Sequence, residues 1–273
     1  MGVFDSGVGG LTVLHECLVS LPHEDFVYLG DTARFPYGDR SPQELRAFSL
    51  ELAERLLGEG AKLLVVACNS ATAAALPDLE DAYGVTTPIV SVIGPESRLA
   101  AEISREGRIG LLATPATVAS GAYQRALAAA APSATLTSVA CPELAPLIQK
   151  GGDVSQAVVD ATERYCAPLR EARVDTVILG CTHYPLVRPV IQRALGRGVS
   201  IVGSGQAIAD EVERRLAREH MEARHDRRGD YRFLCTGDPD EFLRLGTRFL
   251  QLPLGPVGHV PVSTSLAAGG AAA

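Results

Sequence analysis

The chain has 273 residues, a net charge of −7 and an apolar fraction of 47%. This length predicts one large domain or two of ordinary size, with ample apolar material for a core. The acidic balance argues against binding to nucleic acid or to a membrane surface, and no apolar run approaches the length of a membrane span. Six cysteines show no C-x-x-C spacing and residues 1–6 lack the features of a secretory signal. We therefore expect no zinc site, no disulfide and a cytoplasmic location.

Strand-like runs alternate with helix-like runs along the whole chain, which predicts an α/β fold with mainly parallel sheets flanked by helices. The most clearly signalled helix begins at Pro42, where Ser41 can act as the N-cap and Glu44 can complete a capping box. Gly58 and Gly60 mark its end. One face of this helix is apolar over four turns and is predicted to be buried: Leu45, Phe48, Leu52 and Leu56.

The alternation occurs twice, at an offset of roughly 110 residues. A repeat of this length predicts two related, pseudo-symmetric domains whose sheets point their carboxyl ends at one shared cleft. The segments that correspond are 3–6 with 111–114, 26–31 with 136–141, 63–70 with 176–183, and 89–94 with 200–205.

The repeat also predicts domain bounds. We expect the first domain to contain residues 1–93 together with 205–252, and the second domain to contain residues 94–204. From residue 253 to residue 273 the chain is rich in Pro, Gly, Ser and Ala, which predicts a flexible tail.

Two polar loops follow the first two predicted strands. Asp5 stands at the first of them, where a carboxylate could hold an ammonium group, assist a neighbouring thiol or simply cap the next helix. The second loop contains Pro36, Tyr37 and Gly38, which read alone as a turn. Because loops at the carboxyl ends of parallel strands line the ligand crevice of α/β sheets, this loop is also a candidate for the site.

Two apolar runs end in the same way, with a cysteine followed by small polar residues. Cys68 ends the first run and Cys181 ends the second, and each is followed by a helix-like stretch. A helix N-terminus lowers the pKa of a thiol, so we expect both cysteines to be activated and to face one substrate from opposite sides. His183 lies two residues after Cys181 and could act as an acid/base partner. The other cysteines read as inert small hydrophobes: Cys17, Cys141, Cys166 and Cys235.

Five motifs in this order resemble the glutamate racemase family of the aspartate/glutamate racemase superfamily, over about residues 2–252. The motifs are residues 3–11, the loop from Gly30 to Thr32, Pro36-Tyr37-Gly38, Ala67-Cys68-Asn69, and residues 179–185. The resemblance implies racemisation of glutamate without a cofactor or metal, producing D-glutamate for peptidoglycan. It also implies two thiols that act in turn as base and acid on opposite faces of the α-carbon.

The resemblance assigns roles to individual residues. It implies that Cys68 handles the α-proton of D-glutamate and Cys181 that of L-glutamate, with Asp5 beside the first thiol and His183 beside the second. The residues implied in substrate binding are Asp5, Ser6, Pro36, Tyr37, Gly38, Asn69, Ser70, Thr114, Thr117, Thr182 and His183.

The chain departs from the family pattern at two positions. Ser70 replaces a threonine and keeps the hydroxyl, whereas Gln149 replaces an auxiliary glutamate on the Cys181 side. A neutral amide can orient a neighbour by hydrogen bonding but cannot hold or relay a proton. The alternative interpretation of Gln149 is an exposed amide on a helix.

Other functions stay open from the residues alone. A racemase of another amino acid such as aspartate is the nearest alternative, and a hydrolase with Cys181 as nucleophile and His183 as base is an alternative from another class. A non-catalytic binding protein is a third, although it has no need of two opposed thiols. As partners we expect the small substrate and a second copy of the chain, in a homodimer or a monomer–dimer equilibrium.

Overall fold

The computed structural model of the protein describes residues 1–150, 154–224 and 226–263. Two sheets form its framework, and every strand pairs with its neighbours in parallel. The predicted α/β fold class is confirmed. The strands of the first sheet are β1 (Gly2–Asp5), β2 (Phe26–Gly30), β3 (Leu64–Val66), β4 (Ile89–Ser91), β9 (Tyr231–Cys235) and β10 (Val257–His259). Those of the second sheet are β5 (Arg108–Ala113), β6 (Thr135–Ala140), β7 (Thr176–Gly180) and β8 (Ser200–Val202).

The helices lie between the strands along the chain. They are α1 (Leu11–Ser20), α2 (Pro42–Gly58), α3 (Asn69–Tyr83), α4 (Ile93–Ile103), α5 (Pro115–Ser120), α6 (Ala122–Ala130), α7 (Leu144–Gln149), α8 (Gln156–Glu171), α9 (Arg188–Leu195), α10 (Ser204–Glu219) and α11 (Pro239–Leu250), with two 3₁₀ helices at Thr32–Arg34 and Tyr184–Val187. Within the described parts of the chain, none of these helices combines the length and apolarity needed to cross a membrane.

The strand order reproduces the repeat seen in the sequence. The first sheet runs β10-β9-β2-β1-β3-β4, and the second runs β6-β5-β7-β8. The block β2-β1-β3-β4 therefore has the same order as β6-β5-β7-β8. In this correspondence β3, which precedes Cys68, matches β7, which precedes Cys181.

Helix α2 illustrates how local sequence determines an element. The Ser41 side chain accepts a hydrogen bond from the Glu44 backbone N–H, and the Glu44 carboxylate accepts one from the Ser41 backbone N–H at 2.9 Å. This reciprocal pair is the predicted capping box. The four apolar residues predicted to be buried are buried, and they pack against the first sheet: Leu45, Phe48, Leu52 and Leu56.

Two connections pass between the sheets. Helix α4 leads from the first sheet to the second, and α10 leads back, and the two helices pack against each other. Buried side chains from both sheets, such as Val3 and Leu111, consequently belong to one continuous hydrophobic cluster. This packing holds the carboxyl ends of β1, β3, β5 and β7 around a common cleft.

The flexible tail predicted from residue 253 is wrong over part of its length. Val257–His259 form β10, which pairs in parallel with β9 at the edge of the first sheet. Val260 is buried, and Ser263 donates hydrogen bonds to Glu51 from its backbone N–H and its hydroxyl. Three residues among prolines carry too weak a pattern to predict a strand, so this strand depends on the open edge that β9 provides. Residues 264–273 lie outside the described part of the chain.

Candidate active site

The cleft between the two sheets collects nearly all of the residues singled out in the sequence. Cys68 and its neighbours line it from the first sheet, and Cys181 and its neighbours line it from the second. The candidate residues that line the cleft are Ser6, Pro36, Tyr37, Gly38, Cys68, Asn69, Ser70, Thr114, Cys181, Thr182 and His183. Asp5 and Thr117 are fully buried behind this wall.

Cys68 is the N-cap residue of α3. Its Sγ accepts a hydrogen bond from the backbone N–H of Ala71 at 3.5 Å. Asp5 lies at the end of the neighbouring strand β1 and is close enough for its charge to raise the pKa of Cys68. The first thiol is therefore held at a helix N-terminus beside a buried carboxylate.

Cys181 is held differently. It follows β7 directly, but the next element is the 3₁₀ helix at Tyr184–Val187 and the α-helix α9 begins only at Arg188. The helix predicted immediately after this cysteine is therefore displaced along the chain, with Pro189 in its first turn. The Sγ of Cys181 lies 3.9 Å from the Nδ1 of His183.

Burial determines the acidity of both thiols. It raises the pKa of Cys68 to about 12, with the nearby Asp5 adding to the effect, and it raises the pKa of Cys181 well above its ordinary value. The lowered pKa predicted from the helix N-terminus is thus wrong for the free protein, because desolvation of the thiolate outweighs the hydrogen bonds that favour it. A thiolate formed here is a strong base, which suits removal of a weakly acidic proton from carbon.

His183 is enclosed by aromatic rings and one amide. Its ring lies 5.4 Å from that of Phe35 and 5.1 Å from that of Phe249, measured between centroids, and it is almost completely buried. Burial lowers the pKa of His183 to about 3, so the imidazole is neutral near pH 7.

Gln149 determines which nitrogen of that imidazole carries the proton. The Oε1 of Gln149 lies 2.9 Å from the Nε2 of His183. An amide oxygen can only accept, so Nε2 is the protonated nitrogen and Nδ1 faces Cys181 as an acceptor. The interpretation of Gln149 as an exposed amide is therefore wrong.

Asp5 links the two sides of the cleft. Its Oδ2 accepts a hydrogen bond from the Gly7 backbone N–H at 3.0 Å, and its Oδ1 accepts one from the Thr182 hydroxyl at 3.4 Å. Burial raises the pKa of Asp5, against the opposing effect of these hydrogen bonds. Thr182 adjoins Cys181, so one carboxylate contacts both halves of the site.

Three hydroxyl groups form a second link across the cleft. The Ser70 Oγ lies 2.9 Å from the Thr114 Oγ1 and 3.2 Å from the Thr117 Oγ1, and the two threonine oxygens are 3.0 Å apart. Ser70 belongs to α3, whereas Thr114 is the N-cap of α5 in the second half. Only Ser70 and Thr114 line the cleft, so Thr117 supports them from behind.

The hydroxyl of Tyr37 does not face the cleft. It donates to the Oδ2 of Asp31, which also accepts from the Nε of Arg34 at 2.6 Å, while the Oδ1 accepts from the Thr236 hydroxyl at 2.7 Å. The role of Tyr37 is therefore to fix the loop that brings Pro36 and Gly38 to the cleft. The substrate contact expected of Tyr37 is limited to its ring and backbone.

Sequence reasoning missed several residues around the cleft. Phe35, Asp39, Pro115, Pro142, Ala145 and Pro146 all contribute to its lining. Behind the wall, the buried carboxylate of Glu96 contacts Asn69. The lining residues adjoin recognised motifs and could have been found as their neighbours, whereas Glu96 has no signal in the sequence.

The comparisons with known proteins agree with this geometry. A family model described as Asp/Glu/Hydantoin racemase matches residues 13–212. The chain belongs to this family. A relative from Parafrankia sp. (strain EAN1pec) named glutamate racemase is 47% identical over 264 residues, which cover 96% of this chain and 95% of the relative. The resemblance drawn from the five motifs is thereby confirmed.

Solved structures show the same fold. A glutamate racemase isoform from Bacillus anthracis has a TM-score of 0.90 and 36% identity, covering 96% of this chain and 97% of that chain. The glutamate racemase from Francisella tularensis, solved in complex with D-glutamate, has a TM-score of 0.88 and 29% identity, covering 95% of this chain and 96% of that chain. The two-sheet architecture is thus common to this chain and to both enzymes.

Proposed function

We propose that the protein interconverts L- and D-glutamate without a cofactor, with Cys68 and Cys181 acting on opposite faces of the α-carbon. The observation that carries this proposal is the pair of cysteines at matching strand ends, β3 and β7, lining one cleft from two sheets. The names of the relatives support glutamate as the substrate, and so does the D-glutamate bound in the Francisella tularensis enzyme. The domain division expected from the repeat belongs to this proposal, since it puts one thiol in each domain.

Each proton that the reaction moves has a named donor and a named acceptor. From L-glutamate, the Cys181 thiolate removes the α-proton and becomes a thiol, which leaves a planar carbanion. The Cys68 thiol then donates its proton to the opposite face and becomes a thiolate. The reverse reaction begins from this second protonation state, so each turnover exchanges the roles of the two cysteines.

The cleft offers neutral hydrogen-bond donors, rather than cations, to the two carboxylates of glutamate. The described lining residues include no lysine or arginine, and His183 is neutral. Carboxylate oxygens would therefore be bound by hydroxyl groups and backbone N–H donors, including the N-terminus of α3. The hydroxyls available are those of Ser6, Ser70, Thr114 and Thr182.

The metabolic part of the proposal follows from the product. D-glutamate would be supplied to a reaction that builds a D-amino acid into peptidoglycan, in the cytoplasm. A strain that depends on this gene for growth should be rescued by D-glutamate in the medium. Rescue by D-aspartate alone would contradict this part.

The decisive experiment is to incubate the purified protein with L-glutamate and to follow optical rotation without any added cofactor. We expect the rotation to decay to zero, and to do so equally after dialysis against a chelator. L-aspartate, simple amides and esters serve as parallel substrates. Decay with L-aspartate but not L-glutamate would indicate a different racemase, and hydrolysis of the amides or esters would indicate the Cys181 hydrolase.

A further inference from the structure

A buried polar cluster lies behind the wall of the cleft and has no part in the proton transfers above. It consists of Glu96 on α4, Tyr123 on α6, Ser204 at the start of α10, and Asn69 at the start of α3. None of these four residues is more than 2% exposed. Asn69 also lines the cleft, so the cluster is connected to the site through this residue.

The hydrogen bonds of the cluster orient the Asn69 amide. The Asn69 Nδ2 donates to the Tyr123 hydroxyl at 2.7 Å and to the Glu96 Oε2 at 3.3 Å. Glu96 accepts two further hydrogen bonds, from the Tyr123 hydroxyl at Oε2 and from the Ser204 hydroxyl at Oε1. An ionised carboxylate can only accept hydrogen bonds, so it keeps the Nδ2 of Asn69, the donor atom of the amide, turned towards Glu96.

This arrangement leaves one atom of Asn69 unused. Its Oδ1 is buried and has no hydrogen-bond partner among the described residues. Leaving a buried acceptor without a partner destabilises the protein, so such an atom calls for a donor. At neutral pH the only hydrogen-bond donor of glutamate is its α-ammonium group.

We propose that Glu96 is a positioning residue that fixes the Asn69 amide so that Oδ1 accepts a hydrogen bond from the α-ammonium group of the substrate. The inference rests on the proposed function, since it takes an amino acid as the ligand. Glu96 itself does not touch the substrate. Its contribution is to prevent the amide from turning and presenting its nitrogen, which would repel the ammonium group.

The cost of burying Glu96 supports this role. Burial raises the pKa of Glu96 to about 7, in spite of the hydrogen bonds from Ser204, Tyr123 and Asn69. A carboxylate buried this deeply destabilises the fold unless every lone pair is used, and apolar residues often fill such a position at no cost. Above this pKa the group is ionised, and a carboxylate then accepts from all three donors and donates to none.

The first test compares two variants at Glu96 with one control variant. Glu96→Leu removes the acceptor, and we expect KM for both enantiomers to rise by about tenfold or more with a smaller change in kcat. Glu96→Gln should keep KM within about threefold, because its Oε1 can accept from Asn69 and Tyr123 while its amide donates to Ser204. The matched control is Ser97→Ala, which removes from the same helix α4 a buried hydroxyl that has no hydrogen-bond partner among the described residues, and which should leave KM unchanged.

Tyr123→Phe keeps the test valid if Glu96→Leu does not fold. It removes only the hydroxyl that accepts from Asn69 at 2.7 Å. We expect a rise in KM of about threefold to tenfold, smaller than that of Glu96→Leu, because Asn69 keeps its contact with Glu96. Circular dichroism and thermal unfolding establish that each variant is folded before its kinetics are compared.

A double-mutant cycle determines whether Glu96 acts through Asn69. If it does, Glu96→Leu should raise KM in the wild-type background but not in the Asn69→Ala background. Equal increases in both backgrounds would overturn the inference, and so would a wild-type KM in Glu96→Leu and Tyr123→Phe. In both of these outcomes the wild-type enzyme still racemises glutamate, so the proposed function survives. A wild-type protein without racemase activity would overturn the proposed function, and this inference with it.

Discussion

Cys68 caps the long helix α3 and has the carboxylate of Asp5 beside it, whereas Cys181 is followed by a 3₁₀ helix and has the neutral imidazole of His183 beside it. The strands that carry the two cysteines occupy the same position in their sheets. The duplicated framework thus provides the geometry for two opposed thiols. The two thiols share the effect of the Asp5 charge, which raises the pKa of both, but only Cys181 has an imidazole beside it.

The largest expected effect is the loss of either thiol. Cys68→Ala and Cys181→Ala should each lower kcat on the order of 10²–10⁴-fold, because each removes either the base or the acid of every turnover. Initial rates with L- and D-glutamate measure this loss. The control is Cys166→Ala, a buried cysteine of α8 outside the cleft, which should retain activity. Retention of more than a few per cent of kcat in either variant would contradict the two-thiol mechanism.

A second prediction concerns Gln149, on the Cys181 side of the cleft, where the chain departs from the family pattern. Gln149→Glu puts a negative charge where the amide now accepts from His183 at 2.9 Å. This charge should raise the pKa of His183 from about 3 and so favour transfer of the Cys181 proton to its Nδ1, which gives a thiolate beside an imidazolium. The acid limb of the kcat profile from L-glutamate should therefore move to lower pH by about one unit or more, while the profile from D-glutamate moves less.

The measurement must use kcat in each direction. Enantiomers have equal free energies, so kcat/KM stays equal in the two directions whatever the mutation does. Gln156→Glu is the matched control, because it is the same substitution at an exposed position on α8. If neither kcat profile moves in Gln149→Glu, the neutral amide has no influence on the Cys181 side.

A third prediction compares how His183 and Asp5, on the two sides of the cleft, change the stability of the fold at acid pH. The pKa of His183 is lowered from 6.5 to about 3, so its contribution to folding is present above pH 6.5 and is lost as the pH falls towards 3. The pKa of Asp5 is raised, so its contribution is present below pH 3.8 and is lost as the pH rises through the folded-state value. On acidification the two sides therefore act with opposite signs.

Denaturant unfolding between neutral pH and about pH 4 tests this difference. Relative to the wild type, His183→Asn should lose less free energy of unfolding on acidification, and Asp5→Asn should lose more. His220→Asn is the control, since His220 is exposed and its left-handed backbone accommodates asparagine. The same pH dependence in all of these proteins would show that neither buried group contributes.

The smallest expected effect concerns the two additional strands of the first sheet. Val260 is buried after β10, and its truncation in Val260→Ala should lower the free energy of unfolding by roughly 1–2 kcal/mol. Val85→Ala provides the control because Val85 is 97% exposed. We expect kcat to change little, since β10 supports the Cys68 side from outside the cleft. An equal effect of the two substitutions on urea unfolding would mean that the segment after β9 adds no stability.

Interactions between residues close in sequence were sufficient to predict much of this structure. The capping box of α2 and the apolar runs of β3 and β7 each depend on residues adjacent in sequence, so the fold class, the repeat and the position of both cysteines could be predicted. The family motifs are also short stretches of sequence, and they identified most of the other residues that line the cleft. Each of these features is determined by interactions within one turn, one strand or one loop.

Other features depend on residues that are far apart in sequence, and only the tertiary structure determines them. The pKa values of Cys68 and Cys181 are raised because burial is a property of the whole fold, whereas the helix N-terminus that lowers them is visible locally. Strand β10 exists because β9 offers an open edge. The contact of Glu96 with Asn69 joins two helices on either side of β4, and no periodic pattern marks it. Sequence determines which groups are present, but the free energy of each charge and each hydrogen bond depends on what the fold packs around it.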